Sequence, residues 1–124
     1  MPPALVSGIG SFSHEILPEG QAVLALRGEF DMNDALDFSD KVHELRTSGV
    51  RGIVVDLSRV LFFDSTMLGA LVREWRRATE RGEGLTIVRP QPGVFRGFQI
   101  ARLDELLGVC RTREGALERL AAHA

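Results

Sequence analysis

Hydrophobic residues near the start of the chain follow first a two-residue period and then a helical one. The segment SFSHEIL alternates apolar and polar residues, AVLALRGEF is more continuously apolar, and the turn residues PEGQ separate the two. Two strands joined by so short a turn predict an antiparallel hairpin. From about Asn33 to Thr47 the period becomes helical, and Ser48-Gly49 ends the predicted helix. The inward-facing positions of this helix are predicted to be Ala35, Phe38, Val42 and Leu45.

The rest of the chain alternates between short apolar runs and helical patterns. GIVVDL (52–57) and LTIV (85–88) are typical of strands buried on both faces, and VCRT predicts a short last strand. SRVLFF is predicted to connect the first of these strands to a helix over roughly 65–81. A further helical stretch lies within RPQPGVFRGFQIARLDELLG, and REGALERLAAHA predicts a closing amphipathic helix. The inward candidates of these last two helices are Val94, Phe98, Ile100 or Ala101, Leu103, Leu117, Leu120 and Ala121.

The predicted order of elements is β-β-α-β-α-β-α-β-α. Strands that alternate with helices imply a largely parallel sheet, and the opening hairpin makes that sheet mixed. The predicted fold class is therefore α/β, with one mixed central sheet and about four helices. Residues 1–10, which contain two Pro and two Gly, are predicted to be a loose lead-in to a single domain over residues 11–122.

Composition narrows the possible functions. A net charge of −2 gives no electrostatic reason to expect binding to nucleic acid or to an anionic membrane. The single cysteine, Cys110, excludes an internal disulfide and a cysteine-based zinc site. No run approaches the roughly 20 apolar residues of a membrane span, and no secretory signal is visible, so we expect a cytoplasmic protein.

The sequence also lacks the motifs of the common enzyme classes. There is no Gly-x-Ser-x-Gly nucleophile motif, no phosphate-binding loop and no dinucleotide fingerprint, and His and carboxylate residues are not grouped at ligand spacing. A phosphoaspartate receiver with Asp56 as its acceptor is a poor match, because the only lysine, Lys41, lies on the first predicted helix. We therefore expect no catalytic residues, no metal and no cofactor.

The stretch LFFDSTMLGAL (61–71) joins a strand to a helix and places two hydroxyls at the junction. At 100° per residue, one side of this helix is predicted to face the core and the other to face outward, with Ser65 at the edge of the outward side. The core side comprises Met67, Leu68, Leu71, Val72, Trp75, Ala78 and Thr79. The outward side comprises Thr66, Gly69, Ala70, Arg73, Arg76, Arg77 and Glu80.

Two interpretations of this junction are open. In the first, Asp64 or Ser65 is only an N-cap, which accepts a hydrogen bond from an unpaired amide of the first turn. In the second, Ser65 is phosphorylated: a helix N-terminus accommodates the phosphate, and the added charge of about −1.5 to −2 prevents a partner from docking on the small residues and arginines of the outward side.

Three segments of the chain resemble the STAS domain of the anti-sigma-factor antagonist family. RGEFD (27–31) resembles the family's Gly-Glu-Leu-Asp, and IVVDLSRVLFFDSTMLGAL (53–71) resembles its strand, connector and Asp-Ser-Ser/Thr-Gly-Leu-Gly helix start. GLTIVRPQPGVFRGFQIARLDELLGV (84–109) resembles the next strand and the helix that leads to the last one. The resemblance spans about residues 11–122, and the Asp-Ser-Thr junction is its diagnostic part.

The resemblance implies a regulatory cycle. In this family the Ser after the Asp is phosphorylated by an anti-sigma factor that is also a serine kinase of the histidine-kinase-like ATPase type. The unphosphorylated antagonist binds that kinase and releases the sigma factor, and a PP2C-type phosphatase resets the cycle. Carried over to this chain, Ser65 is the acceptor, Thr66 a possible secondary acceptor, and Asp64 and Asp31 help to orient the acceptor. The protein is then a switch rather than an enzyme, and we expect it to be a monomer when free.

The predicted partner-binding residues cluster around the junction. They are Glu29, Asp31, Asp64, Thr66, Met67, Gly69, Ala70, Arg73 and Arg77. Met67 stands where the family usually has Gly, which places a bulky side chain beside the acceptor unless that side chain packs inward. The alternatives are a STAS scaffold of a larger signalling assembly, a subunit of a lipid-transport complex, and a binding module that has lost its kinase.

Overall fold

The computed structural model describes residues 10–122, so the predicted lead-in lies outside the described residues except for Gly10. Within residues 10–122 four strands form one sheet: β1 (Ser11–Leu17), β2 (Gln21–Phe30), β3 (Gly52–Phe63) and β4 (Gly84–Val88). The helices of the same range are α1 (Ala35–Thr47), α2 (Ser65–Glu80), α3 (Pro92–Ile100), α4 (Leu103–Leu106) and α5 (Arg113–Ala122). None of these helices is long and apolar enough to cross a lipid bilayer.

The sheet has the mixed topology that the hairpin predicts. Its strand order is β1-β2-β3-β4; β1 pairs antiparallel with β2, and the β2–β3 and β3–β4 pairs are parallel. A short 3₁₀ turn, Pro18–Gly20, joins β1 to β2, and Gly20 adopts a φ of +79° there. This is the left-handed region that glycine enters without steric cost. The α/β fold class, the mixed sheet and the opening hairpin are confirmed.

Helices cover both faces of the sheet, which explains why the inner strands are almost continuously apolar. One face packs against α1, α2 and α3 in the larger core, to which Leu24, Val55 and Ile87 contribute. The other face packs against α5, where Val23 and Val54 contact a smaller cluster. This smaller cluster is completed by Val88, Ala116 and Leu120.

β3 is longer than the sequence pattern predicts. SRVLFF was predicted to be a connector, but the strand continues through it to Phe63. The pattern is interrupted because the β2–β3 register shifts twice, once between Ala25 and Arg27 and once between Gly28 and Glu29. Each shift adds a residue to β3 and so breaks the alternation that a regular strand shows.

The predicted last strand, VCRT, shrinks to a single bridge between Val88 and Cys110. Cys110 donates its amide to the carbonyl of Ile87 at 2.7 Å and accepts from the amide of Arg89 at 2.8 Å. The chain cannot extend this pairing, because the Thr112 hydroxyl accepts from the Gly115 amide at 3.0 Å in the first turn of α5.

The predicted helical stretch before this bridge is divided into α3 and α4. Arg102 lies between them with a φ of +58°, which breaks the helical path. The prediction that Ile100 or Ala101 faces inward is wrong, since Ile100 is 77% exposed and Ala101 is also exposed.

Candidate functional site

The ends of β2 and β3 position the start of α2. The Asp64 amide donates to the carbonyl of Phe30 at 3.2 Å, which ties the last residues of the two strands together. Beneath this junction the ring of Phe63 lies 6.4 Å from that of Phe30 and 6.2 Å from that of Phe98, measured between ring centroids. Aromatic pairs at such distances stabilise a core beyond the area that they bury. The site therefore rests on a packed cluster of aromatic rings.

Asp64 is the N-cap of α2. Its backbone is extended, and its Oδ1 accepts from the Met67 amide at 2.9 Å, while its carbonyl accepts from the Leu68 amide at 3.0 Å. An aspartate cap accepts hydrogen bonds from amides that the helix itself cannot pair. Its negative charge is also stabilised by the positive end of the helix dipole. Of the two cap candidates in the sequence, Asp64 is confirmed.

Because Asp64 supplies the cap, the side chain of Ser65 is not needed to cap α2. Ser65 and Thr66 are exposed at the first two positions of α2, and their amides make no hydrogen bond within the described residues. Unpaired amides at a helix N-terminus form a ready site for an anion. The cap at Asp64 therefore leaves the second interpretation open, because the cap and the predicted phosphate acceptor are different residues.

Asp31 lies at the end of β2, beside the end of β3. It caps the 3₁₀ turn Met32–Asp34: its Oδ1 accepts from the Asn33 amide at 2.9 Å, and its own amide donates to Asp34 Oδ2 at 2.9 Å. Neither Asp31 nor Asp64 hydrogen-bonds the Ser65 hydroxyl within residues 10–122. Their predicted role in orienting the acceptor stays a prediction. Their hydrogen bonds fix the backbone at the start of the 3₁₀ turn and of α2.

The buried stripe of α2 largely matches the predicted core side. Met67, Leu71 and Ala78 are buried as predicted, and Leu68, Val72 and Trp75 are partly buried against the same core. The stripe also includes Ala70, which is 0% exposed, whereas Thr79, which was predicted to face the core, is exposed. We therefore remove Met67 and Ala70 from the predicted partner-binding residues, since neither can contact a partner in this conformation. The bulky side chain of Met67 packs inward and does not lie beside the acceptor.

Glu74 also lies on the buried side of α2. It is 1% exposed, a position that a hydrophobic pattern does not give to a charged residue. Its Oε1 pairs with Arg46 Nη1 on α1 at 3.2 Å, and its Oε2 pairs with Arg77 Nη1 at 2.8 Å. Arg46 also donates to the Glu74 carbonyl at 3.2 Å and pairs with Glu83 at 3.3 Å. Arg77, a predicted partner-binding residue, is thus half-exposed and committed to Glu74.

Exposed apolar side chains surround the start of α2, and the sequence analysis missed them. Phe62 is 49% exposed and lies between two depressions of about 350 and 330 Å³. Met32, on the 3₁₀ turn that packs against α2, is 67% exposed. Large exposed apolar residues that adjoin polar ones mark interaction sites. The sequence did contain a signal for this exposed side chain, namely the doublet Phe62-Phe63. Neighbouring residues of a strand face opposite sides, so only one of the two rings can point into the core.

The exposed residues around the start of α2 form what we call the docking surface. They are Glu29, Asp31, Met32, Phe62, Ser65, Thr66, Gly69 and Arg73. A Cβ atom built on Gly69 would meet no other atom within 4 Å, so this part of the surface is open. Among the described residues Arg73 makes no ion pair or hydrogen bond, so its guanidinium is free to bind a partner.

Comparison with known proteins agrees with this geometry. A family model described as "Mlab, STAS domain" matches residues 15–108. The chain belongs to the STAS-domain family. The sequence resemblance to a STAS domain is therefore confirmed over most of the chain.

The similar proteins are described as anti-sigma factor antagonists. The anti-sigma-B factor antagonist of Staphylococcus aureus is 29% identical over 82 residues, which are 66% of this chain and 76% of that protein. The crystal structure of an anti-sigma factor antagonist from Mycobacterium paratuberculosis superposes with a TM-score of 0.80 at 23% identity, covering 92% of this chain and 96% of that one. SpoIIAA in its unphosphorylated form gives a TM-score of 0.75 at 23% identity, covering 90% and 97%. At these identities the two structures show that the fold is shared.

No grouping of three or more His, Cys, Asp or Glu residues that could hold a metal ion occurs in residues 10–122. The junction itself offers two hydroxyls, two amides without a partner among the described residues, and a mixed apolar and charged surface.

Proposed function

We propose that this STAS domain is an anti-sigma-factor antagonist that is switched by phosphorylation of Ser65. In the unphosphorylated state the docking surface binds an anti-sigma factor that is also a serine kinase of the histidine-kinase-like ATPase type, and the sigma factor is released. Phosphorylated Ser65 prevents this binding, and a PP2C-type phosphatase restores it. The protein acts in the cytoplasm and transfers no phosphate itself.

One observation carries the proposal: Ser65 is exposed beside two unpaired amides, while the neighbouring Asp64 supplies the cap. A phosphate on Ser65 can accept hydrogen bonds from these amides, so the modified domain stays folded. Thr66 is exposed beside the same amides and is the secondary acceptor.

The surroundings of Ser65 support a switch that acts through exclusion. Asp31 and Asp64 already place negative charge near the start of α2. A phosphate adds about −1.5 to −2 charges there, next to the apolar Phe62 and Met32. A partner that buries these apolar side chains must then desolvate a dianion, which disfavours docking.

A second candidate uses the same docking surface without phosphorylation. The cap is complete with Asp64 alone, so the junction needs no modification to be stable. A STAS scaffold of a larger assembly, or a subunit of a lipid-transport complex, would bind a partner constitutively in this way.

Mass spectrometry of the protein purified from its native cells distinguishes the two candidates. We expect a species heavier by one phosphate group, with the phosphate mapped to Ser65 in a peptide that covers residues 60–73. In the matched variants, Ser65→Ala should abolish the modification and still bind the kinase, whereas Thr66→Ala should remain modified. Ser65→Asp should fold normally and bind weakly. Tight binding by Ser65→Asp would contradict charge exclusion, and an unmodified protein under all growth conditions would favour the scaffold.

A further inference from the structure

The face of the sheet opposite α2 is only partly covered. α5 packs over Val23 and Val54, and beyond its first residue, Arg113, the face opens into a depression of about 470 Å³. Its polar lining comprises Ser11, Ser13, Arg27, Asp56, Ser58, Arg59 and Arg113. A volume of this size falls within the range of small-molecule sites.

A β-bulge builds this depression. Between the pairs Ala25–Asp56 and Arg27–Arg59, β3 advances by three residues while β2 advances by two. In a regular strand, residues three apart face opposite sides of the sheet. The extra residue turns Arg59 to the same face as Asp56, and the Ser58 amide in the bulge donates to Asp56 Oδ1 at 2.9 Å.

The two arginines on neighbouring strands have no carboxylate to neutralise them. Arg27 and Arg59 are register partners, both line the depression, and neither makes an ion pair or hydrogen bond within residues 10–122. Two like charges held side by side on neighbouring strands repel each other. The protein as a whole has a net charge of −2, so this concentration of positive charge is local.

The one acidic residue of the depression is already engaged. Asp56 Oδ2 accepts from Arg113 Nη2 at 2.7 Å and from Arg113 Nε at 3.2 Å. Burial of this carboxylate raises its pKa, but the hydrogen bonds from Arg113 and Ser58 outweigh burial, and the pKa of Asp56 lies below its ordinary value. Asp56 is therefore ionised and paired at neutral pH, and it offsets Arg113 rather than Arg27 or Arg59.

We propose that this depression binds a phosphate group carried by a small molecule, with Arg27 and Arg59 as its principal ligands. The planar guanidinium of arginine presents paired N–H donors that match phosphate oxygens, and the bound dianion removes the repulsion between the two side chains. Ser11, Ser13 and Ser58 line the same depression and supply hydroxyl donors. The site lies on the other side of the sheet from Ser65, so it is independent of the proposed switch.

Titration with inorganic pyrophosphate, followed by ¹⁵N NMR and calorimetry, tests this proposal. We expect saturable binding, with the largest shifts at the amides of residues 11–13, 25–27, 56–59 and 113–115. Arg27→Gln and Arg59→Gln should each weaken binding by about tenfold, as expected for loss of a charged hydrogen-bond donor. The control is Arg51→Gln, which removes the same charge from an exposed arginine just before the first residue of β3. It should leave the affinity unchanged.

Two results would overturn the site. One is the absence of saturable binding. The other is an Arg51→Gln variant that loses as much affinity as Arg59→Gln, because binding would then depend on the net charge of the protein and not on this site. ATP in place of pyrophosphate separates the possible sources of the phosphate. Equal affinities assign recognition to the phosphates alone, whereas tighter binding of ATP with additional shifted amides adds the nucleoside to the ligand.

Discussion

The inner and outer faces of α2 differ in whether their polar side chains have partners. On the inner face, Glu74 is 1% exposed and each of its carboxylate oxygens is paired with an arginine. On the outer face, Ser65 and Arg73 are exposed and have no partner within the described residues. A buried charge must be paired to be tolerated, whereas an exposed polar group without a partner remains available to another molecule. The first arrangement holds the helix in place, and the second is suited to recognition.

The largest effect is expected from breaking the inner face. Glu74→Ala leaves Arg46, whose side chain is only 8% exposed, with Glu83 as its one remaining carboxylate partner. Removing one member of a buried ion pair costs about 3–5 kcal/mol, and we expect a loss near the lower end because Glu83 remains. Urea denaturation measures this loss in the free energy of unfolding.

Two further variants make this measurement specific. Glu80→Ala removes an exposed carboxylate from the same helix and should change stability by less than about 0.5 kcal/mol. Combining Glu74→Met with Arg46→Met removes both charges and should recover much of the loss, since apolar residues of similar volume often replace a buried pair without cost. If Glu74→Ala were as stable as the unmodified protein, the inner face would not depend on this network.

A smaller effect is expected where the two faces meet, at Asp64. Asp64→Ala removes the acceptor of the Met67 amide and should cost about 1 kcal/mol in the free energy of unfolding. Asn caps a helix about as well as Asp, so Asp64→Asn should retain most of the stability. The Asn variant therefore separates the cap from the charge.

Kinase assays on these two variants measure the orienting role predicted for Asp64. If its charge orients Ser65, Asp64→Asn is phosphorylated slowly although it is stable. If Asp64 acts only through the cap, Asp64→Asn is phosphorylated at the rate of the unmodified protein, and the orienting role is wrong.

Local patterns were sufficient for much of the fold. The hairpin, the start of α2 and the inward side of α1 follow from periodicity and cap residues within a few positions of one another. Phe38, Val42 and Leu45 are buried as predicted, and Asp64 caps α2. These features depend on neighbours along the chain, which a sequence displays directly.

Features that depend on distant partners were not predictable in this way. Glu74 is buried because Arg46, 28 residues earlier, pairs with it, so a hydrophobic pattern does not include Glu74 in the buried stripe of α2; the pattern also left Ala70 outside. The continuation of β3 depends on the register with β2, and the bulge that aligns Arg59 with Asp56 has no local signal. Because the same bulges break the alternating pattern, the sequence does not show that Phe62 lies in a strand, where it is an exposed residue of the docking surface.

The last effect on stability, comparable in size to that of Asp64→Ala, is expected at Gly69 on the outer face, and its sign is opposite to that of the others. Gly69→Ala adds a methyl group that meets no atom within 4 Å, and alanine is favoured over glycine inside a helix by about 1 kcal/mol. We therefore expect a higher melting temperature in calorimetry.

On the docking surface the same methyl group blocks close approach of a partner, so binding to the kinase should weaken although the fold is more stable. Gly97→Ala, on the exposed side of α3, also meets no atom within 4 Å and is the matched control for the gain in stability. Gly97 lines the depression beside Phe62, so the binding of Gly69→Ala is compared with that of the unmodified protein. If Gly69→Ala bound the kinase as tightly as the unmodified protein, the partner would not approach α2 at this point, and the docking surface would have to be confined to Phe62, Ser65 and the turn after β2.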